Sequence, residues 1–215
     1  MMIDRKALKA QAKAFAFKNK WNIWKPMVIY YLLVFVVTFV VSFAVTILGV
    51  KETAAQNIID LVSNILSIAT LPMAIGITAY VMKLIKGEKM TVKEALLSKY
   101  SMFGLIFCVS LIAGLFTALW TILLIVPGII YLYKMAMIDY ILAEDDANKL
   151  SYREVMDRSE KLMNGHKMDF FVFELSFIGW ILLSLVTFGI ALIWVLPYVE
   201  VATVMYYEEL KKLDK

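Results

Sequence analysis

Four long stretches of the chain contain no charged residue, and they set its overall pattern. They are Met27–Val50, Leu61–Met82, Tyr100–Tyr133 and Leu175–Val199, with 24, 22, 34 and 25 residues. About 20 apolar residues in a helix cross the hydrocarbon core of a bilayer. Each stretch therefore predicts at least one membrane-spanning helix, and the charged residues gather in the segments between them.

Two apolar regions are too long for a single helix. A helix of 34 residues, at about 1.5 Å per residue, measures about 51 Å, well beyond a bilayer core. The pair Pro127-Gly128 predicts the break, since proline removes a backbone donor and glycine permits a left-handed turn. This division gives Met102–Ile125 and Pro127–Leu142. The region Phe170–Tyr207 divides in the same way at Thr187-Phe188-Gly189. The pattern predicts six helices, and four is the alternative.

The distribution of lysine and arginine favours six helices over four. With six, the segments 1–26, 83–99, 143–169 and 208–215 share one side of the membrane and hold twenty of the 22 cations. Only Lys51 lies on the other side, while Lys134 lies within a helix. Positive residues collect in the cytoplasm. We therefore expect both termini to be cytoplasmic.

Similar signals recur before each predicted hairpin. Thr91-Val92-Lys93-Glu94 and Ser151-Tyr152-Arg153-Glu154 match the capping box that begins a helix, and Asp4 is a simple cap. We predict an all-α, polytopic transmembrane helical bundle: six helices as three hairpins, each preceded by an amphipathic cytoplasmic helix. It forms a single integral membrane domain over residues 1–215, with repeat units at about 1–86, 87–146 and 147–215. The expected helix breaks are Pro72, Pro127, Gly128 and Pro197.

The first capped helix carries its cations on one face. On a helical wheel, this face holds Arg5, Lys6, Lys9, Lys13 and Lys20. The pattern predicts a helix that lies on anionic lipid headgroups at the cytoplasmic face of the bilayer. The alternative is an ordinary positive flank without a recognition role.

Composition limits what the chain does. Hydrophobic residues make up 62% of the 215 and charged residues 19%, which argues against a soluble enzyme and leaves no separate catalytic domain. The net charge of +4 comes without a nucleic-acid-binding motif, so we expect no nucleic acid partner. One cysteine, Cys108, and one histidine, His166, occur without a nucleophile elbow, phosphate loop or zinc motif. We expect no enzymatic activity, no cofactor and no metal.

Ionisable residues within the apolar segments are the candidates for function, because a buried unpaired charge is costly. They are Lys134, Asp139, Glu174 and Glu200. Counting helix depth from the predicted outer ends allows a Lys134–Glu200 ion pair. We interpret it first as a packing pair and second as a substrate or proton site. Asp139 and Glu174 lie nearer the cytoplasm.

Three further groups of residues have weaker signals. Gly165, His166 and Lys167 form a candidate boundary motif at the cytoplasmic mouth of the fifth helix. Two helices carry small or hydroxylated faces, which usually allow close helix packing, with a polar permeation path as the alternative. These faces are Ser63, Asn64, Ser67 and Thr70, and Ser110, Gly114, Thr117 and Thr121.

Several motifs resemble a known family. They are the stretch 159–167, which reads Ser-Glu-Lys-Leu-Met-Asn-Gly-His-Lys, and the segments Leu175–Trp180, Leu196–Tyr198, Leu123–Ile130 and Ala143–Asp145. Over nearly the whole chain they resemble domain-of-unknown-function family 975, integral membrane proteins mainly of Gram-positive bacteria. That family is distantly similar to the membrane domain of some glycerophosphodiester phosphodiesterases. The resemblance implies a bacterial plasma membrane and brings no established activity.

These features predict a multi-pass membrane protein that acts as a non-catalytic structural or regulatory component, through lipids or an unidentified membrane protein partner. The alternative is a small transporter or lipid-handling protein that uses Lys134 and Glu200. A cavity lined by these residues and the hydroxyl faces would favour the alternative, whereas a dry core would favour the first hypothesis.

Overall fold

The computed structural model describes residues 3–147 and 149–213, and over these the chain is helical, without strands. Eleven α-helices follow one another in the described ranges, with a 3-10 turn at Ser98–Met102 between the fourth and the fifth. They are α1 (Arg5–Lys18), α2 (Lys20–Ile47), α3 (Glu52–Ile85), α4 (Val92–Leu97), α5 (Phe103–Leu123), α6 (Ile125–Lys134), α7 (Ile138–Glu144), α8 (Tyr152–Met163), α9 (Lys167–Leu175), α10 (Ile178–Val186) and α11 (Leu192–Leu213).

Five segments are long and apolar enough to cross a membrane. They are α2, α3, the run from α4 through α5 (Val92–Leu123), α6 with α7 (Ile125–Glu144) and α9 with α10 (Lys167–Val186). The 22-residue helix α11 is not among them, since it contains Glu200, Glu208 and Glu209. Length and composition thus support a membrane protein with several apolar helices.

The buried core lies where the second half of α3 meets α7 and α11. Val81, Leu142 and Tyr206 are fully buried there. By contrast, large apolar side chains are exposed along α2 and near the ends of α5 and α10. An exposed apolar surface of this kind is typical of a chain whose surroundings are lipid.

The break between α5 and α6 lies two residues earlier than predicted. Leu124 has extended backbone, with φ −159° and ψ 129°, and α6 begins at Ile125. Pro127 is accepted in the first turn of α6, where helix N–H groups have no partner in the helix. Gly128 does not form the expected left-handed turn. A Cβ at this position would lie 2.2 Å from Oγ1 of Thr121, so glycine lets α6 approach α5 closely.

The other two expected proline breaks are wrong. Pro72 lies inside α3 and Pro197 inside α11, and both helices continue past the proline. Each proline removes one backbone hydrogen bond. Both side chains are buried, and the packing on either side keeps the helix together.

The predicted turn at Thr187–Gly189 is confirmed. α10 ends at Val186, and Phe188 and Gly189 adopt φ of 49° and 87°. Phe188 is 98% exposed, so an apolar ring occupies the tip of the turn between α10 and α11.

The predicted helix starts are also confirmed. Thr91 and Ser151 form complete capping boxes with Glu94 and Glu154, and the carboxylate of Asp4 accepts bonds from the first turn of α1. The helices that follow differ in length, however: α1 has 14 residues, α4 six and α8 twelve. The threefold repeat therefore stays a prediction.

The cationic face of α1 contacts protein. Leu8, Ala12 and Ala16 are buried, and α1 packs against α11. Arg5 pairs with Asp169 at 3.2 Å, and Lys9 donates to Oγ of Ser176 at 2.8 Å. The ammonium of Lys13 lies 5.3 Å from the ring centroid of Trp180. Three cations that the sequence assigns to lipid thus bind α9 and α10 or the turn between them, because the packing of α1 on α11 places them there.

Candidate functional site

Three of the four predicted intramembrane residues come together in the structure. Asp139 on α7, Glu174 on α9 and Glu200 on α11 line one cavity of about 490 Å³. We call it the acidic cavity. These carboxylates lie 26 or more residues apart in the sequence, so only the packing of three helices brings them to the same space.

Asp139 reaches the cavity because the chain bends after α6. The turn at Met135–Met137 separates α6 from α7, and Asp139 lies in the first turn of α7. An acidic residue in the first turn of a helix is favoured by the helix dipole. Its carboxylate is exposed to the cavity and makes no hydrogen bond or ion pair with any described residue.

Glu200 is held by a hydroxyl group. Oγ1 of Thr78 on α3 donates a hydrogen bond of 2.8 Å to Oε1 of Glu200. A hydrogen bond to a charged acceptor is stronger than one between neutral groups, so it partly offsets the cost of placing a carboxylate among apolar helices. This bond fixes α11 against α3 at the depth of the cavity.

Glu174 is held in a similar way from α6. The hydroxyl of Tyr133 donates to Oε2 of Glu174 at 2.7 Å. The ring of Tyr133 packs edge-on against Phe170 and Phe171 of α9. Sequence reasoning missed both Thr78 and Tyr133, because no local signal links a lone hydroxyl to a carboxylate on another helix.

The hydroxyl face of α5 also lines the acidic cavity. Its residues Ser110, Gly114 and Thr117 border the cavity, as does Thr203 of α11. Thr121, the fourth residue of the predicted face, instead contacts Gly128. The first part of the face therefore borders a cavity, and its last part packs closely against α6.

A second cavity of about 250 Å³ shares two of these carboxylates. Its lining includes Asp139, Tyr140 and Glu200, together with Tyr30, Tyr31 and Thr78. Asp139 and Glu200 therefore border both cavities. Neither lining includes a lysine or arginine among the described residues.

The predicted ion pair between Lys134 and Glu200 is wrong. Nζ of Lys134 lies 2.8 Å from Oε2 of Glu160 on α8, and Glu200 bonds to Thr78 instead. Lys134 is the last residue of α6, and its long side chain reaches α8 past the turn that follows. Depth counting failed here because it treated α6 and α7 as one straight helix.

The predicted boundary motif forms a turn between two helices. Gly165 has φ of 78°, a conformation that glycine adopts without strain, and it follows the end of α8 at Met163. His166 precedes α9, which begins at Lys167, and makes no side-chain cap. The motif thus forms the connection between α8 and α9.

A network of ion pairs, which sequence reasoning missed, lies at one end of the core. Asp146 pairs with Lys83 at 2.8 Å and with Lys99 at 3.3 Å, although Lys99 is only 2% exposed. Lys86 lies 3.1 Å from Glu208, and Lys211 pairs with Glu144. We call this group the charged end; it consists of Lys83, Lys86, Lys99, Glu144, Asp146, Glu208 and Lys211.

Electrostatics favour the ionised forms of two residues at the charged end. Partial burial raises the pKa of Asp146, but the bond from Lys83 and the charges of Lys99 and Lys83 outweigh burial and hold that pKa below its usual range. Burial likewise lowers the pKa of Lys86, yet its bond to Glu208 and nearby carboxylates bring the pKa above its usual value. The ion pairs thus stabilise the charged forms of Asp146 and Lys86.

Among the described residues, no group of three or more histidine, cysteine, aspartate or glutamate side chains is placed to hold a metal ion. The three carboxylates of the acidic cavity border one shared space.

A family described as "Protein of unknown function (DUF975)" matches residues 122–214. No curated protein and no solved structure matches the chain. The matched part contains Lys134, Asp139, Glu174 and Glu200, whereas Thr78 and the hydroxyl face of α5 lie before it. The match covers under half of the chain, whereas the sequence motifs implied a resemblance over nearly the whole chain. Over residues 122–214, this chain is similar to the family of unknown function that its own motifs resemble.

Proposed function

We propose that this chain is a small membrane transporter or lipid-handling protein whose acidic cavity takes up a positively charged group. The observation that carries the proposal is the meeting of Asp139, Glu174 and Glu200 at one cavity whose described lining contains no lysine or arginine. Carboxylates placed among apolar helices without a cation are costly in a low-dielectric environment. A cation that enters the cavity offsets that cost, which provides the binding energy.

The size and lining of the cavity agree with a small organic cation. Ligand pockets commonly measure about 300–1,000 Å³, and the acidic cavity measures about 490 Å³. Ser110 and Thr117 add hydroxyl groups to the same lining. From the sequence, a polar cavity favours a transporter or lipid-handling protein, and a dry core favours a structural component. Glu200 borders such a cavity together with Asp139 and Glu174, whereas Lys134 is not part of its lining.

Six crossings, with both termini in the cytoplasm of a bacterium, are part of the proposal. α11 runs antiparallel to α9 and α10, since Tyr206 bonds to Asp169 at 2.8 Å and Tyr198 packs on Trp180. A helix of 22 residues is about 33 Å long, enough to return across a bilayer core of about 30 Å. The positive-inside distribution supports the orientation.

Binding of alkylammonium ions tests the function. Purified protein in lipid nanodiscs is titrated calorimetrically with ions from methylammonium to tetraethylammonium. We expect at least one of these ions to bind the wild type and not to bind the variant with Asp139→Asn, Glu174→Gln and Glu200→Gln. Glu160→Gln is the control, because Glu160 pairs with Lys134 outside the cavity. Wild-type protein that binds none of the ions, or a triple variant that binds them equally, contradicts the proposal.

Cysteine accessibility tests the topology independently. A Cys108→Ser background removes the single native cysteine, and a cysteine is then placed at Ser151 or at Lys51. In whole cells, we expect an impermeant maleimide to label position 51 and not position 151. Labelling of position 151 from outside overturns the six-crossing arrangement but leaves the binding experiment intact.

A further inference from the structure

Three tyrosines line the second cavity together with the carboxylates that it shares with the acidic cavity. Tyr30 and Tyr31 lie on α2 and Tyr140 on α7, and the lining also includes Asp139 and Glu200. Tyr140, Asp139 and Glu200 border the acidic cavity as well. Aromatic rings and negative charges therefore belong to one site, and we call the second cavity the tyrosine cavity.

The rings of the tyrosine cavity are held at an angle to one another. The ring centroids of Tyr30 and Tyr31 lie 5.2 Å apart, and the two ring planes are inclined by 72°. Tyr140 stacks on Tyr207 of α11, with 5.7 Å between the centroids. Rings that are nearly perpendicular can contact one rounded group from two sides, which parallel stacking does not allow.

This combination of groups favours a quaternary ammonium ion. The face of an aromatic ring is negative and attracts cations, and cages of aromatic rings bind quaternary ammonium groups. Such a group has no N–H, so it needs negative charge and ring faces but no hydrogen-bond acceptor. A primary ammonium ion brings three donors, yet Oε1 of Glu200 already accepts a hydrogen bond from Thr78. The lining therefore suits a methylated cation better than a primary one.

The size of the tyrosine cavity favours a small group. Its volume is about 250 Å³, below the range of about 300–1,000 Å³ that is common for pockets of drug-sized ligands. This volume suits an ion of the size of tetramethylammonium or choline.

The tyrosine cavity lies near the charged ends of the helices that form it. Tyr31 follows Lys25 by six residues, and Glu200 precedes Glu208 by eight, which corresponds to about 9 and 12 Å along a helix. These ends are cytoplasmic in the six-crossing arrangement proposed above. Tyr31 is 49% exposed, so the site also borders the surroundings of the bundle. The ammonium group therefore has two sources to distinguish, a free ion and a lipid headgroup.

We infer that the cation taken up by this protein is a quaternary ammonium group. It is held at Asp139 and Glu200, where its methyl groups lie against the tyrosine rings, and Glu174 adds a third negative charge from the acidic cavity. The inference rests on the proposed uptake of a cation and adds its chemical class, which the three carboxylates alone do not determine.

A series of ions with one charge and increasing methylation tests the class. The full chain in phosphatidylglycerol nanodiscs is titrated calorimetrically with methylammonium, dimethylammonium, trimethylammonium and tetramethylammonium. We expect the affinity of the wild type to rise along the series by at least about fivefold, the contribution of one cation–π contact. Equal binding of all four ions overturns the inference but leaves the proposed function intact. Wild-type protein that binds none of them contradicts both.

Two substitutions of Tyr31 separate the effect of the ring from that of the hydroxyl. We expect Tyr31→Leu to lose about fivefold in affinity for tetramethylammonium and little for methylammonium, whereas Tyr31→Phe keeps the affinity for both. Phe35→Leu is the matched control, because Phe35 is an exposed aromatic residue one turn further along α2 and belongs to neither lining. Equal losses in Tyr31→Leu and Tyr31→Phe, or in Tyr31→Leu and Phe35→Leu, overturn the inference.

The same titration in nanodiscs that contain phosphatidylcholine distinguishes the two sources. A weaker apparent affinity for tetramethylammonium, together with no such weakening in Tyr31→Leu, assigns the site to a lipid headgroup. An unchanged affinity of the wild type assigns it to a free ion. Either result keeps the quaternary ammonium class.

Discussion

Thr78 on α3 donates its hydroxyl proton to Glu200 on α11, with 2.8 Å between the two oxygens. Removal of this donor leaves the carboxylate without its described hydrogen bond. We expect Thr78→Val to lower the free energy of unfolding by about 1–3 kcal/mol, the usual range for a lost bond to a buried polar group. Thermal unfolding in detergent measures the change.

Thr117→Val is the matched control for this prediction. Thr117 also borders the acidic cavity, but its hydroxyl donates to the carbonyl of Ala113 in its own helix. We expect a smaller loss for Thr117→Val than for Thr78→Val, and a smaller effect of Thr78→Val in a Glu200→Gln background. Equal losses for Thr117→Val and Thr78→Val, with the same effect of Thr78→Val whether or not Glu200 is replaced, would show that the Thr78–Glu200 bond does not stabilise the fold.

Lys134 and Glu160 form the ion pair that replaces the predicted one. Their side chains are 27% and 52% exposed, so solvent weakens the interaction. A double-mutant cycle with Lys134→Ala and Glu160→Ala is expected to give a coupling energy of about 0.5 kcal/mol. The same cycle with Lys134→Ala and Glu200→Ala should give no coupling energy. Coupling of Lys134 to Glu200 without coupling to Glu160 would instead support the Lys134–Glu200 pair that the sequence predicts.

Gly128 allows the close contact between α5 and α6. An added Cβ would lie 2.2 Å from Oγ1 and 2.7 Å from Cα of Thr121. Since the second of these atoms is backbone, the helices must separate, and we expect Gly128→Ala to destabilise the protein by about 1–3 kcal/mol. Gly104→Ala is the control, because no atom lies within 4 Å of its added Cβ. If both variants unfold at the same temperature, the contact is not close in solution.

The charged end makes stability depend on pH in acid. The folded-state pKa of Asp146 is depressed by Lys83 and Lys99, so the stabilisation is present above the ordinary aspartate pKa of about 3.9 and is lost as the pH falls through the folded-state value. We expect Asp146→Asn to lose about 1 kcal/mol or less at pH 7, since the carboxylate is 56% exposed. Unfolding curves of wild type and variant should converge below about pH 4; a constant difference down to pH 3 would contradict the assignment.

Local sequence signals predicted the local features of this fold. The capping boxes at Thr91 and Ser151 and the turn at Thr187–Gly189 depend on residues within a few positions of one another, and they were correct. Pro127 predicted the start of α6 two positions too late, because proline is tolerated in the first helical turn as well as at a break.

Contacts between distant helices were beyond the reach of the sequence pattern. Three of the residues that the sequence singles out, Asp139, Glu174 and Glu200, border one cavity, but the sequence does not predict that they meet. Nothing local shows that Lys134 turns toward α8 or that Thr78 meets Glu200. Likewise, the wheel of α1 identified cations but not Asp169, Ser176 and Trp180 as their partners. Such pairings depend on how the helices pack. The sequence alone offers each side chain many candidate partners of suitable chemistry.

Protection from a carboxyl-modifying carbodiimide tests the central claim most directly. The protein in nanodiscs is treated with dicyclohexylcarbodiimide, with and without the alkylammonium ion that binds most tightly, and modified residues are mapped by mass spectrometry. We predict that the ion protects Asp139, Glu174 and Glu200 over the same concentration range and leaves Glu160 and Glu209 unprotected. Modification of the three cavity carboxylates that is unchanged by the ion, or protection of Glu160 to the same degree, would contradict a cation site in the acidic cavity.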